Sequence, residues 1–278
     1  MSVSHQTYVD THTTYTLSKG DISSDKANNY LIIGKRESGK TTICIDIQQK
    51  IMKDRKNKEL DALPNTIVYT SDGFESFYTD ITDQIFTNME NLESIINGAK
   101  LNKATGTIII FDNILELEHR ILKSSMFQSF VMNARHYNTS IIIAISFSYG
   151  LTATLRANID QIFLLNEMND SELKKRYSNF GGMFQNFTTF EQIHKVCANN
   201  YIALLLDNKC AKAHWYRANI MIPELIIKCN KPLEIVIAPE NFSLHSKLQI
   251  LSDKLNQKIT EIIEIRNELD HLIQLTNK

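Results

Sequence analysis

Short apolar runs alternate with amphipathic stretches along most of the chain. Most of these runs are continuous and rich in isoleucine, which is typical of strands buried on both faces of a parallel sheet. The predicted strands cover residues 30–33, 66–70, 107–111, 140–145, 161–165, 201–207 and 214–217. The predicted helices cover residues 41–58, 74–88, 91–101, 119–137 and 171–180. Because strands and helices alternate, the pattern predicts a doubly wound α/β domain with right-handed crossovers.

The two ends of the chain do not follow this alternation. Residues 1–28 are rich in Thr and Ser and lack a clear period, which indicates a flexible arm or an edge strand. After Pro239, Leu and Ile recur at alternating steps of four and three, which predicts an amphipathic helix. Such a helix forms a coiled coil with a partner or folds back on its own domain. The predicted parts are therefore an arm (1–28), a main domain (29–238) and a C-terminal helix (239–278).

A glycine-rich segment joins the first predicted strand to the first predicted helix. Residues 34–41 read GKRESGKT and match G-x-x-x-x-G-K-[ST] at every fixed position. In this motif the glycines let backbone N–H groups point at phosphate oxygens, and the helix N-terminus adds its positive dipole. Lys40 would bridge the β- and γ-phosphates, and the Thr41 hydroxyl would coordinate Mg²⁺. The predicted ATP-binding residues are Gly34, Lys35, Arg36, Glu37, Ser38, Gly39, Lys40, Thr41 and Thr42.

A second carboxylate is needed beside the metal, at the end of a neighbouring apolar strand. The run 107–111 leads into Asp112, so Thr41 and Asp112 are the predicted Mg²⁺ residues. The next residue, Asn113, stands where P-loop ATPases commonly carry the acid that activates water, and an amide cannot take a proton. The candidate acids are Glu37, Glu116, Glu118 or an acid from elsewhere in the chain. Without such an acid, hydrolysis would be slow.

Composition limits the partners that the chain can bind. The formal net charge is −1, so nucleic acid would have to contact local basic residues or a ring of subunits. Basic clusters at 53–58 and 174–176 could line such a channel or form solvated helix faces. Four widely separated cysteines indicate reduced thiols rather than disulfides or a zinc site. With no apolar leader and no run long enough for a bilayer, we expect a soluble intracellular protein without a membrane span.

Three short motifs follow the nucleotide motifs, and two of them, Arg-His and Arg-Ala-Asn, are more selective than the nucleotide motifs themselves. The three motifs are Arg-His at 135–136, Asn-Thr-Ser at 138–140 and Arg-Ala-Asn at 156–158. Their combination resembles the poxvirus-type genome-packaging ATPases of large DNA viruses, in the FtsK–HerA superfamily, over residues 30–217. That family has Gly-Arg-His before a Thr-Ser strand, a Gln at the tip of that strand, and Arg-x-Asn after it. Here Ala134 replaces the glycine and Ser146 replaces the glutamine.

The resemblance implies a RecA-like α/β fold with a central, mostly parallel sheet, and an ATP hydrolase that uses Mg²⁺. It implies a motor that moves double-stranded DNA without reading its sequence and packages a viral genome into the capsid. The partners would be further copies of the chain in a ring, and capsid or assembly proteins. The protein would act at assembly sites in the host cytoplasm and could enter the virion. Arg135 and Arg156 are the candidate arginine fingers, and Ser146 stands at the sensor position.

The departures at Asn113, Ala134 and Ser146 leave two main interpretations open. In the preferred one, the chain is a diverged motor whose water-activating carboxylate has moved. In the other, it is a nucleotide-binding, hydrolysis-poor scaffold or regulatory paralogue whose C-terminal helix recruits partners. A small-molecule or nucleotide kinase is a weaker third interpretation, because no arginine-rich lid segment is found. The phosphate and metal residues are intact, so each interpretation includes Mg·ATP binding.

Overall fold

The computed structural model describes most of the predicted main domain and part of the predicted arm. The described residues are 14–24, 26–57, 63–113, 120–147, 150–197, 201–218 and 225–228. They all lie within one compact unit of the chain, Met1–Ile235. The helix predicted over 239–278 lies outside them, as do Glu116 and Glu118.

Strands and helices largely alternate in the described residues. The strands are β1 (Thr14–Leu17), β2 (Asn29–Ile33), β3 (Asn65–Thr70), β4 (Ile85–Phe86), β5 (Thr107–Asp112), β6 (Thr139–Ile145), β7 (Gln161–Leu164), β8 (Ala203–Asp207), β9 (Lys212–Tyr216) and β10 (Leu225–Lys228). The α-helices are α1 (Lys40–Asn57), α2 (Leu92–Leu101), α3 (Ser125–Asn133), α4 (Ala153–Ala157), α5 (Asp170–Phe180) and α6 (Phe187–Cys197). Short 3₁₀ turns lie at Glu75–Phe77, Ile121–Lys123, Ala134–Tyr137 and Gly181–Met183. None of these described helices is long and apolar enough to cross a membrane.

Eight of the described strands form one sheet, in the order β4-β3-β5-β6-β2-β7-β8-β9. The strands from β4 to β7 in this order run parallel, and β8 and β9 are antiparallel to their neighbours. A separate antiparallel pair is formed by β1 and β10. The predicted α/β fold with a mostly parallel sheet is therefore confirmed. Because parallel strands end at one edge, the carboxyl ends of β2, β3, β5 and β6 lie together, where such sheets bind ligands.

The central strands are buried on both faces, which explains their continuous apolar sequences. Every residue of β2, β5 and β6 is buried. One face of the sheet packs against α1 through Ile43, Ile47 and Ile51. The other face packs against α2 and α3, which contribute Ile96 and Phe127. Helices on both faces thus fix the strand ends that carry the predicted nucleotide residues.

The segment 74–88 does not form the predicted helix, so that prediction is wrong. It contains the 3₁₀ turn Glu75–Phe77 and the short edge strand β4. Tyr78 is fully buried, whereas the adjacent Phe77 is 56% exposed, and the polar run TDITDQ follows. Polar and β-branched residues favour turns and strands over a helix here. The sequence pattern also does not predict α4 and α6.

Part of the predicted arm packs against the main sheet. Leu17 and Ile22 are buried, and the Gly20 N–H donates to the Trp215 carbonyl of β9 at 2.8 Å. A Cβ at Gly20 would lie 2.9 Å from the His214 Cβ, so this close approach requires glycine. The boundaries of the arm, the main domain and the C-terminal helix stay predictions.

Candidate functional site

The glycine-rich segment forms a loop between the end of β2 and the start of α1. The Gly34 N–H donates to the Ile145 carbonyl at 3.1 Å, which ties the loop to the tip of β6. Gly39 has a φ of 99°, a conformation that glycine adopts without strain. A Cβ at Gly34 would lie 2.7 Å from the Leu165 Cβ, so close packing requires the first glycine. The two glycines therefore set the path of the loop, as the motif predicts.

Lys40 begins α1, and its side chain turns back into the loop. Only 8% of the residue is exposed, and its Nζ donates to the carbonyls of Gly34 at 2.8 Å and Lys35 at 3.0 Å. The ammonium group is thus held inside the loop, beside the N-terminus of an 18-residue helix. A cation next to a helix N-terminus forms a site that favours phosphate.

Asp112 ends β5 and lies next to the loop. It is fully buried, and its Oδ2 accepts a hydrogen bond of 2.6 Å from the Thr41 hydroxyl. Its Oδ1 is also buried and has no hydrogen-bond partner among the described residues. Burial raises the pKa of this carboxyl, while hydrogen bonds from Thr41 and Tyr78 and the charge of Lys40 oppose the rise. A buried carboxylate oxygen without a donor, beside a hydroxyl, fits Mg²⁺, which prefers oxygen ligands.

Tyr78 also contacts Asp112, and no pattern in the sequence points to it. Its hydroxyl donates to the same Oδ2 at 2.8 Å, and the residue is fully buried. Tyr78 also lies in the same buried cluster as Cys44, which is one turn of α1 after Thr41. Burial is the main cause that raises the pKa of Tyr78 far above its ordinary range, so the phenol is the donor to Asp112. Tyr78 and Asp112 are 34 positions apart, and Tyr78 lies in a segment that the sequence pattern predicts to be helical.

Asn113 presents an amide to the cavity beside the loop. Its backbone is left-handed, with a φ of 58°, and its Nδ2 donates to the Ser71 hydroxyl at 2.8 Å. Glu37 lines the same cavity with a largely exposed carboxylate, 3.8 Å from the Arg36 Nε. Glu37 is thus the one predicted water-activating acid that the described residues place at the cavity.

Ser146 lies at the same edge of the sheet as the loop. It directly follows Ile145, whose carbonyl accepts the Gly34 N–H. Arg156, in α4, donates from Nη1 to the Leu151 carbonyl at 2.6 Å and does not line the cavity. The sensor role of Ser146 and the finger role of Arg156 stay predictions.

Arg135 lies at the opposite edge of the sheet. Its Nη2 is 3.0 Å from Asp160 Oδ1, and Asp160 Oδ2 accepts the Asn29 N–H at 2.8 Å. Asn29 is the first residue of β2, whose far end leads into the phosphate loop. Arg135 therefore cannot reach the cavity of its own chain, and any role as an arginine finger would be exerted on a neighbouring subunit.

Three aromatic residues complete the cavity, which has a volume of about 490 Å³. Phe74 and Phe77 follow β3, and Tyr201 precedes β8. Tyr201 is 64% exposed, and a Cβ on Gly39 would lie 3.5 Å from its Cδ1. Exposed rings beside a phosphate loop provide surfaces on which a nucleobase can stack.

Tyr201→Ala is expected to weaken ATP binding about ten-fold, because it removes a stacking surface for the base. The measurement is equilibrium binding of ATP and of inorganic triphosphate to wild type and variant. Triphosphate carries no base, so its affinity should not change. An equal loss for both ligands would show that Tyr201 supports the loop rather than the base.

Arg176 is buried, although it belongs to the basic cluster predicted as a channel lining or a solvated face. Its Nη1 donates to the Leu165 carbonyl at 2.6 Å and its Nη2 to Glu167 Oε2 at 3.1 Å. Burial lowers the pKa of Arg176 to about 10, and burial with the Arg176 charge lowers that of His194 to about 3. The predictions of a channel lining and of a solvated face are therefore both wrong for Arg176. Its hydrogen bonds instead stabilise the end of β7 beside the loop.

Comparisons of the sequence find similar proteins in large DNA viruses. No protein-family model matches the chain. An uncharacterised protein of Acanthamoeba polyphaga mimivirus is 27% identical over 212 residues, covering 68% of this chain and 72% of the relative. An uncharacterised protein of Invertebrate iridescent virus 6 is 25% identical over 197 residues, covering 67% and 73%.

One solved structure is similar over its whole length. It is the genome packaging NTPase of Sulfolobus turreted icosahedral virus 2 in complex with AMPPCP. The TM-score is 0.55 and the identity 15%, over 71% of this chain and 100% of the other. At this identity the likeness shows the fold alone. The chain therefore has the RecA-like P-loop NTPase fold that its sequence predicts.

Proposed function

We propose that the chain is an ATP-driven DNA translocase that packages a viral genome into its capsid. The observation that carries this proposal is the convergence of Lys40, Thr41 and Asp112 in one cavity at the carboxyl edge of the sheet. The fold that the chain shares with a viral genome packaging NTPase supports the packaging role. The similar proteins in Acanthamoeba polyphaga mimivirus and Invertebrate iridescent virus 6 support a viral setting.

The residues of the cavity have distinct roles in this proposal. The loop N–H groups and Lys40 bind the phosphates, which requires Lys40 to exchange its two carbonyl acceptors for phosphate oxygens. Thr41 and Asp112 would hold the divalent cation, which would supply charge stabilisation to the transferring phosphoryl group. Among the described residues, Glu37 lines the cavity and would orient the attacking water, since Asn113 cannot accept a proton.

The motor would assemble as a ring, with each cavity close to a neighbouring subunit. Arg135 lies far from its own cavity, and Arg156 does not line it, so either arginine would act across the boundary. The ring would contact the phosphates of double-stranded DNA, because a translocase must pass every sequence. Capsid or assembly proteins would be its other partners, at assembly sites in the host cytoplasm and in the virion.

Duplex DNA is expected to stimulate ATP turnover to the same extent for two unrelated sequences. The stimulation should weaken as salt rises from about 50 to about 200 mM, because the contacts are to phosphates. Steady-state ATPase assays measure the turnover, and mass photometry with ATP and DNA measures ring assembly. Asp112→Ala is the control, in which stimulation should be lost. A stimulation that depends on the duplex sequence would contradict the proposal.

A second candidate function is a nucleotide-binding scaffold that hydrolyses little. Two residues favour it. The amide of Asn113, which donates to Ser71, cannot act as the water-activating acid, and the short side chain of Ser146 cannot take the place of the sensor glutamine. Tight ATP binding without turnover, in the presence of DNA, would support the scaffold and exclude the motor.

A further inference from the structure

Tyr78 connects the Asp112 carboxylate to the aromatic wall of the cavity. The segment 71–78 follows β3, brings Phe74 and Phe77 to the cavity and ends at the fully buried Tyr78. The phenol donates to Asp112 Oδ2 at 2.8 Å, and Tyr78 is buried in the same apolar cluster as Cys44 of α1. It is thus held between the end of β5 and the first turns of α1.

The two oxygens of Asp112 have different surroundings. Oδ2 accepts hydrogen bonds from both Thr41 and Tyr78, whereas Oδ1 has no partner among the described residues. In the proposed site the Thr41 oxygen would also be a ligand of the cation. The Tyr78 hydroxyl would then be a donor committed to the carboxylate alone. A carboxylate held at one oxygen keeps the other directed at its ligand.

We propose that Tyr78 is a positioning residue for the divalent cation: its phenol holds Asp112 Oδ2, so that the carboxylate keeps the orientation that the cation site requires. This inference rests on the proposed ATP site. Because Phe74 and Phe77 lie in the same segment, one hydroxyl anchors both the carboxylate and part of the cavity wall.

Tyr30 provides a matched comparison for a purely structural role. It is also fully buried, and its hydroxyl donates to the Ser23 carbonyl at 2.5 Å. Tyr30 lies in β2 near the amino edge of the sheet, far from the phosphate loop. Tyr30→Phe therefore removes the same atom, at the same burial, without touching the Asp112 carboxylate.

The test is equilibrium binding of a fluorescent ATP analogue to wild type, Tyr78→Phe and Tyr30→Phe. Binding is measured in EDTA and across a Mg²⁺ series. Tyr78→Phe should leave affinity in EDTA within about two-fold, but raise the Mg²⁺ concentration for half-maximal enhancement about ten-fold, because a hydrogen bond to a charged group is lost. Tyr30→Phe should leave the Mg²⁺ response of wild type unchanged.

Thermal unfolding supplies a second measurement, in which the same variant with the analogue in EDTA is the reference. The rise in unfolding temperature caused by a slowly hydrolysed ATP analogue with Mg²⁺, relative to the analogue in EDTA, should shrink for Tyr78→Phe alone. Equal Mg²⁺ responses in the two variants would overturn the positioning role and leave Tyr78 as a packing residue. Absence of any Mg²⁺-dependent binding in wild type would overturn the proposed function itself.

Discussion

Asp112→Asn is expected to lower Mg²⁺-dependent ATP turnover by about 100-fold or more, because it removes the anionic oxygen that the cation requires. The amide has nearly the same shape, and its oxygen can still accept from Thr41 and Tyr78. The protein should therefore fold and bind nucleotide in EDTA. Steady-state turnover across a Mg²⁺ series measures the loss.

Asp112→Asn is also expected to remove the destabilising effect of the buried, ionised Asp112 carboxylate on the folded protein. Burial raises the pKa of Asp112, so the folded protein holds this proton at pH values where the unfolded chain has released it. Ionisation of Asp112 therefore lowers the stability of the nucleotide-free wild type as pH rises from about 3.9 through the raised folded value. The unfolding temperature of the variant minus that of wild type should be more positive at about pH 7 than at about pH 4.

Asp160→Asn is the matched control for the predicted loss of Mg²⁺-dependent turnover in Asp112→Asn. Asp160 is also buried, but it accepts from Arg135 and the Asn29 N–H at the opposite edge of the sheet. Its substitution should cost stability, because it weakens an ion pair, and should leave the Mg²⁺ dependence of turnover unchanged. Turnover that survives Asp112→Asn with an unchanged Mg²⁺ dependence would contradict the assignment of the cation site.

The phosphate loop and Asp112 could be predicted because their signals are local. A strand, a glycine-rich turn and a helix are contiguous in the sequence, and a continuous apolar run shows that β5 is buried and ends at Asp112. Parallel strands then bring Thr41 and Asp112 to one edge without any further information. The core of the site follows from pattern and topology together.

The parts that could not be predicted depend on contacts between distant segments. Tyr78 contributes to the site only because the chain after β3 brings the Tyr78 hydroxyl to Asp112. The hydrophobic periodicity within one segment cannot reveal a contact with a distant segment. Arg176 looks like an ordinary surface charge until Glu167 and the Leu165 carbonyl are found beside it. Arg135 matches a motif of the ATPases that the sequence resembles, but the sequence does not reveal that Asp160 holds it at the far edge.

Lys40→Ala is expected to reduce ATP turnover about 1000-fold and to weaken nucleotide binding with or without Mg²⁺, because the charge that meets the phosphates is lost. In the nucleotide-free protein the same ammonium group satisfies the carbonyls of Gly34 and Lys35. Its removal should therefore also lower the unfolding temperature. Calorimetric binding, turnover and thermal unfolding together measure the three effects.

Lys53→Ala removes the same charge from an exposed position of the same helix and should change none of these three quantities when they are measured without DNA. The pair Lys40→Ala and Asp112→Asn then separates the two functions proposed for the chain. Both the motor and the scaffold need the phosphate contact of Lys40, so unchanged nucleotide affinity in Lys40→Ala would contradict both. In the proposed site Asp112 would bind the cation, so a turnover that requires Asp112 distinguishes a motor from a scaffold that only binds nucleotide. A wild type whose binding depends on Lys40 but whose turnover does not respond to DNA would be the scaffold.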